Sequence, residues 1–247
     1  MTHCRQNAIL ALLISVLVLL LPAAGPSGSR AEALTTSGTL GQRLGQWPEW
    51  HLPAPLPRAS QRDLAWPGWF AGEWQVRSKV LPDGRIGAEP AAAGDLVWRV
   101  RFRPDGRGGA VADRAFNARS VGQALLGDQL LAVQDDPAHP NRQLSRLSGE
   151  RLLESTVLAR AAETPTPTCF LNDELSLQVL HRSGQEPRVS QVETLGRWQR
   201  RADGGIDGEQ WQASYPSPAA GLLAIPVATD HLQLKLDPLP PGSDPAR

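Results

Sequence analysis

The clearest regularity along the chain is alternation. Trp74, Val76, Ser78 and Val80 fall on one side of an extended segment, and Gln75, Arg77 and Lys79 on the other. This is the two-residue period of a strand with one buried face. Leu96, Trp98, Val100 and Phe102 repeat it against Val97, Arg99, Arg101 and Arg103. The pattern predicts strands over 73–81, 96–103, 110–117, 129–134, 142–147, 151–161, 188–200, 209–215 and 231–236. Gly- and Pro-containing turns such as Pro104-Asp105-Gly106 and Ala202-Asp203-Gly204-Gly205 separate them. Residues 119–126 predict a short helix carrying Val121, Ala124 and Leu125 and ended by Gly127. Residues 170–181 fit two periods: Leu175, Leu177 and Val179 alternate, while Glu174, Leu175, Leu177 and Gln178 also suit a helix. The sum is an all-β fold, a single antiparallel β-barrel of about nine or ten strands with one short helix. A barrel is preferred to a sandwich because hairpin follows hairpin and closure removes exposed edges.

The ends of the chain read differently. Residues 1–33 predict a secretory signal: Arg5, then a mostly apolar run over 8–21, then Ala31-Glu32-Ala33 as a cleavage site. That run is short for a membrane span of ~20 residues, so an uncleaved anchor is the second reading. Residues 34–65 form an arm in which Pro48, Pro53, Pro55 and Pro57 oppose regular structure and Trp47 and Trp50 await packing. The barrel domain is expected over 66–237, with a disordered tail at 238–247.

Charge and cysteine content narrow the classes. The 247 residues carry 25 basic and 25 acidic side chains. Loss of the signal removes Arg5, Arg30 and Glu32 and leaves the chain near neutral, which argues against nucleic acid as a partner. Only Cys169 would remain, so the exported domain is expected to hold together by its core, without an internal disulfide. Cys169 has no adjacent His and reads as a small buried residue or, less simply, a nucleophile.

Gly72-Glu73-Trp74 resembles the Gly-x-Trp that opens the first strand of lipocalin-like barrels. The resemblance implies that Trp74 closes one end of the barrel under a basic residue from a late strand, Arg197, Arg200 or Lys235. Further stretches stand out: Trp69-Phe70-Ala71-Gly72-Glu73-Trp74, Val111 to Ser120 (Val-Ala-Asp-Arg-Ala-Phe-Asn-Ala-Arg-Ser), and Asp136 to Gln143 (Asp-Pro-Ala-His-Pro-Asn-Arg-Gln). With Val192-Glu193-Thr194 and Ser214 to Pro218, they resemble an uncharacterised family of exported or lumenal domains from cyanobacteria and chloroplasts. The resemblance spans about residues 66–236. It implies a thylakoid-lumen or periplasmic address and no particular reaction. Residues 221–230 depart from that pattern and leave the last strand in doubt.

The densest polar cluster is Asp113-Arg114-x-Phe116-Asn117. On a strand Asp113 and Asn117 share a face and would point into the barrel, with Arg114 outward or across a rim. That makes a polar ligand site, or else Asn117 caps the helix and Asp113 pairs with an arginine. Trp74, Trp98, Asp113, Arg114 and Asn117 are therefore the candidate ligand-binding residues. No catalytic residue, metal ligand set or cofactor motif stands out. Asp135 to Asn141 reads as a stiff surface turn. Arg99, Arg101 and Arg103 make a basic stripe on an outer face.

The function expected is a non-enzymatic binding or assembly module, soluble after signal cleavage or membrane-peripheral. Its barrel would take a hydrophobic small molecule such as a lipid, pigment or quinone. One alternative is a hydrolase or isomerase using Asp113, Arg114 and an interior glutamate. Another is a scaffold for a thylakoid protein complex, docked through the Trp47–Trp50 arm.

Overall fold

The computed structural model describes residues 38–86, 95–221 and 223–240. The expected signal and most of the expected tail lie outside them. Among the described residues eleven strands form one antiparallel sheet that curls into a half-barrel. Strand β1 (Trp66–Pro67) is a two-residue edge. Strands β2 (Gly72–Ile86), β3 (Leu96–Pro104) and β4 (Gly109–Ala112) form a meander. A helix, Arg114–Leu126, then crosses to β5 (Leu130–Asp135) and β6 (Arg142–Leu147). The meander continues through β7 (Arg151–Thr166), β8 (Cys169–Arg182), β9 (Gln185–Arg200), β10 (Ile206–Tyr215) and β11 (Ala228–Pro238). Strand β11 returns to pair with β2, with Leu236 opposite Val76 and Leu234 opposite Ser78. The order is β1-β4-β3-β2-β11-β10-β9-β8-β7-β6-β5.

The all-β expectation holds, and so do the two strand faces read first. Trp74, Val76, Ser78 and Val80 are all buried, as are Trp98 and Phe102. The final strand, in doubt from sequence, is present, and residues 170–181 are strand.

The main correction concerns residues 113–118. Residues 114–118 are helical and Asp113 is their cap, so only Ala110–Ala112 of the expected 110–117 strand is strand. Strand β4 stops at Ala112, and Asp113 caps the helix by accepting the Phe116 N–H. An aspartate at this position offers its side chain to the first free N–H groups of a helix. The helix ends, as expected, at Gly127, whose φ of 52° is one a glycine adopts without strain.

This helix, α2, fills the seam that the sheet leaves open. Strand β4 pairs with β3 only at Phe102, Arg103 and Pro104. The rest of the β3 edge would expose its peptide groups. Side chains from α2 serve in place of a strand: Asn117 Oδ1 accepts the Arg101 N–H at 2.7 Å and Asn117 Nδ2 donates to the Arg101 carbonyl. Ser120 Oγ accepts the Arg99 N–H at 2.9 Å. On the far side Arg119 donates to the Val133 carbonyl of β5. Asn117→Ala should leave the Arg101 N–H unpaired, its carbonyl still accepting the Asp113 N–H, and lower stability by ~1–3 kcal/mol. Urea unfolding measures this, and a change within ±0.3 kcal/mol would mean that water replaces the amide without loss.

The arm packs on the protein's own body. Its helix α1 (Thr39–Leu44) and the residues after it lie on the convex face of β8–β10. Leu40, Trp50 and Leu52 are buried there with Leu171, Leu195, Trp211 and Tyr215. The Leu40 N–H at the start of α1 meets Glu163 Oε1 at 3.0 Å. Trp50 is therefore not a free docking group.

Candidate functional site

One end of the half-barrel is closed by aromatic rings. Trp66 packs on Phe70, Phe102, Phe170 and Trp198 with centroids 4.7–6.0 Å apart. Trp74 supports this plug, donating its indole N–H to the Phe70 carbonyl at 2.7 Å. No cation among the described residues lies over its ring. Arg197 sits 5.7 Å from the Trp211 centroid instead. The reason is strand parity. Arg197 and Trp211 point to the convex face, whereas Trp74 points inward.

Above the plug the side chains do not meet. They leave a cavity of about 270 Å³. Its two walls differ in chemistry. Strands β2, β3 and β11 supply Val76, Trp98, Val100, Phe102, Leu234 and Leu236, an apolar wall continued by Trp198 of β9. Strands β6 to β8 supply Gln143, Ser155, Ser176 and Gln178. Gln143, Ser155 and Gln178 are lateral neighbours in one row of the sheet, since Gln143 pairs with Ser155 and Ser155 with Gln178. Gln143 Nε2 is held by Asp135 Oδ1 at 3.1 Å. Gln178 is only 2% exposed, and its Oε1 has no hydrogen-bond partner in the protein. The Nε2 of Gln210, on β10, is also unpaired. A buried amide atom without a partner costs ~1–3 kcal/mol, so both atoms are suited to a hydrogen bond with a molecule in the cavity.

Helix α2 contributes Arg114, Asn117, Ala118 and Val121 to the lining. Arg114 and Asn117 stand three apart and share a helix face. Asp113 does not join them. It lies outside the cavity, bonded to Arg101 at 2.8 Å and near Arg103. Among the five candidate residues, Trp98, Arg114 and Asn117 line the cavity, Trp74 sits in the plug beneath it, and Asp113 is excluded. The inward and outward assignments of Asp113 and Arg114 are the reverse of those expected, because the helix starts five residues before residue 119.

Glu174 is the cavity's carboxyl group. Burial pushes its pKa above the ordinary glutamate value, and Arg160, 3.4 Å away, opposes that rise. Arg160 in turn binds Asn141 and the Ser60 carbonyl, and Arg114 binds the Pro140 carbonyl with Asp63 at 3.6 Å. The stretches around Asp113–Asn117 and Asp136–Gln143 thus meet at one end of the cavity with the strap at 58–63. Asp136 itself closes an Asx turn, accepting the Ala138 N–H and the Arg142 guanidinium. Among the described residues no group of three His, Cys, Asp or Glu side chains is placed to hold a metal. Cys169 is buried, and burial pushes its thiol's pKa up, which disfavours the thiolate.

A second polar cluster lies outside the cavity, beneath the arm. Glu193 and Asp173 are both 0% exposed. Glu193 takes two bonds of 2.7 Å from Arg43 and one of 2.7 Å from the Tyr215 hydroxyl. Neither oxygen of Asp173 receives a hydrogen bond from an N–H or hydroxyl donor. Burial first, and then the neighbouring Glu193, push Asp173 well above the usual carboxylate range and favour its neutral acid. Nothing in the sequence marked these residues as partners, because Arg43 lies 150 positions from Glu193.

The raised pKa of Asp173 ties stability to pH. A native state that holds a proton the unfolded chain releases is most stable at low pH. Stability falls as pH rises from the ordinary aspartate range through the raised value, by ~1.4 kcal/mol per pH unit at most. Asp173→Asn should flatten this slope and raise stability at pH 7. Urea midpoints at pH 5 and pH 8 test it; a variant that keeps the wild-type slope would assign the slope to another group.

The fold is a curled antiparallel half-barrel with an internal cavity. The chain belongs to the family described as "Domain of unknown function (DUF6816)", whose model matches residues 58–235. The expected membership of an uncharacterised domain family is met at that level. No curated protein and no solved structure matches the chain.

Proposed function

We propose that the protein is a non-enzymatic binding module whose half-barrel interior takes a small molecule with one apolar and one polar side. The observation that carries this is the two-walled cavity, with Trp98, Trp198 and Leu236 across from Gln143, Ser155 and Gln178 and an unpaired amide oxygen in the polar wall. Its volume of about 270 Å³ lies just under the ~300–1,000 Å³ of pockets that enclose drug-sized ligands. It suits a single ring system or one segment of a chain, such as a quinone head. A large pigment or a whole lipid would leave most of itself outside. A hydrolase or isomerase built on Asp113, Arg114 and a glutamate loses Asp113, which is bound to Arg101 outside the cavity.

The signal-like residues 1–33 support export, and the resemblance to lumenal domains supports a thylakoid-lumen or periplasmic setting. Native mass spectrometry of the mature protein purified from its own cells, followed by unfolding and extraction, tests the binding role. A stoichiometric small molecule released on unfolding supports it; an empty monomer that also binds no apolar dye in its interior would overturn it.

A second reading, attachment at a membrane surface, draws on the connection between β10 and β11. There Leu223, Ile225 and Val227 are 84%, 77% and 58% exposed. Among the described residues no helix is long and apolar enough to cross a membrane. Co-sedimentation with lipid vesicles should fall at least fivefold in Leu223→Asp/Ile225→Asp. Equal sedimentation of variant and wild type would remove this reading.

A further inference from the structure

The charges around the cavity say what kind of molecule it takes. Two ionisable side chains, Arg114 and Glu174, are in the lining of the described cavity. Both are already engaged on the side facing the strap: Glu174 with Arg160, and Arg114 with Asp63 and the Pro140 carbonyl. Neither is left as an unpaired charge for a ligand to neutralise. An ion of either sign entering the cavity would lose its hydration, and the side chain of opposite charge that it meets is already engaged elsewhere, so the loss is not made good. The rest of the polar wall is uncharged. It consists of amides and hydroxyls: Gln143, Ser155, Ser176 and Gln178, with Thr194 and Gln210 further along the sheet.

Gln178 adds direction. Its buried Oε1 needs a donor, and the row it shares with Ser155 and Gln143 offers both donors and acceptors. A hydroxyl both donates and accepts, and so fits the row where a bare hydrocarbon would leave it unpaired. The opposite wall, with Trp98 and Phe102, is suited to the face of a flat or alicyclic ring. We infer that the ligand is an uncharged ring-bearing alcohol or phenol, its hydroxyl on the Gln143–Ser155–Gln178 row and its ring against Trp98 and Phe102. This rests on the cavity being a binding site.

A matched series separates the two claims. Naphthalene, 2-naphthol and 2-naphthoate share one ring system and differ in the group presented. Binding to the full mature chain at pH 7 is followed by quenching of tryptophan fluorescence, with calorimetry as a check. The expected order places 2-naphthol at least tenfold tighter than both naphthalene and 2-naphthoate. Gln178→Leu should bring 2-naphthol to within threefold of naphthalene while leaving naphthalene itself unchanged, and Ser155→Ala serves if that variant does not fold. Naphthalene binding as tightly as 2-naphthol would overturn the ligand class and leave the cavity reading intact. So would a preference for 2-naphthoate. Binding of none of the three would overturn the cavity reading, and this inference with it.

Discussion

Arg43→Ala should destabilise the protein by ~3–5 kcal/mol, the range seen when one partner of a buried ion pair is removed. The guanidinium is buried, and it supplies two of the three hydrogen bonds that Glu193 receives. Without it, Glu193 and Asp173 share a fully buried site with no cation between them. The arm loses further contacts at the same point. Arg43 Nη2 also donates to the His51 carbonyl at 3.1 Å, and the guanidinium lies 5.0 Å from the Trp50 ring centroid. For a chain of this size the melting temperature should fall by roughly 2–4 °C per kcal/mol. The double variant Arg43→Met/Glu193→Met removes both charges and should recover most of the loss, since an apolar pair avoids the desolvation cost of the ions. Thermal and urea unfolding of the three proteins decide it. A loss below 1 kcal/mol in Arg43→Ala would show that the arm is held by its apolar contacts alone.

The second large effect is expected at Trp198. Its ring lies between the cavity and two glycines. A Cβ on Gly208 would come within 2.6 Å of the ring's Cε3 and Cζ3, and one on Gly196 within 2.6 Å of Nε1. The indole N–H donates to Asn172 Oδ1 at 2.7 Å. Trp198→Ala removes this packing, leaves the Asn172 oxygen unpaired and joins its volume to the cavity. The expected loss is ~3–5 kcal/mol. Gly208→Ala is the gentler probe. The added methyl must displace the ring, and the open space in front of it is the cavity. A loss of ~1–3 kcal/mol is expected, together with weaker binding of any interior ligand. If Gly208→Ala binds 2-naphthol as tightly as the wild type, the ring does not shape the bound volume.

Some of this was legible in the sequence and some was not, for physical reasons. Strands β2 and β3 alternate cleanly because one of their faces meets the core and the other largely meets water. Strands β8 and β10 do not alternate well, because the arm covers their outer face and both sides are shielded. Residues 169–173 and 210–215 are buried without a break. That two-sided burial made 170–181 read equally as helix or strand. The polar wall was invisible for the opposite reason. Gln143, Ser155 and Gln178 are polar positions on strands, and pattern alone assigns such positions to the solvent side. Asp113 did carry a usable signal. An Asp ahead of Arg-Ala-Phe-Asn-Ala is a helix start, but the hairpin preceding it favoured a returning strand. The charge cluster of Arg43, Asp173, Glu193 and Tyr215 joins segments too far apart for any local pattern to report.

The docking of the arm also bears on the order in which the molecule assembles. Arg43 and Leu40 reach partners 150 and 123 residues later in the chain. Their seat on β8–β10 exists only once those strands have paired, so contacts of this separation are expected to form late. An element that forms after the rate-limiting step adds little to the speed of folding and much to the lifetime of the folded state. Arg43→Ala should therefore leave the refolding rate nearly unchanged and place almost all of its effect on unfolding. Such a late clasp sets how long each folded molecule survives before it opens.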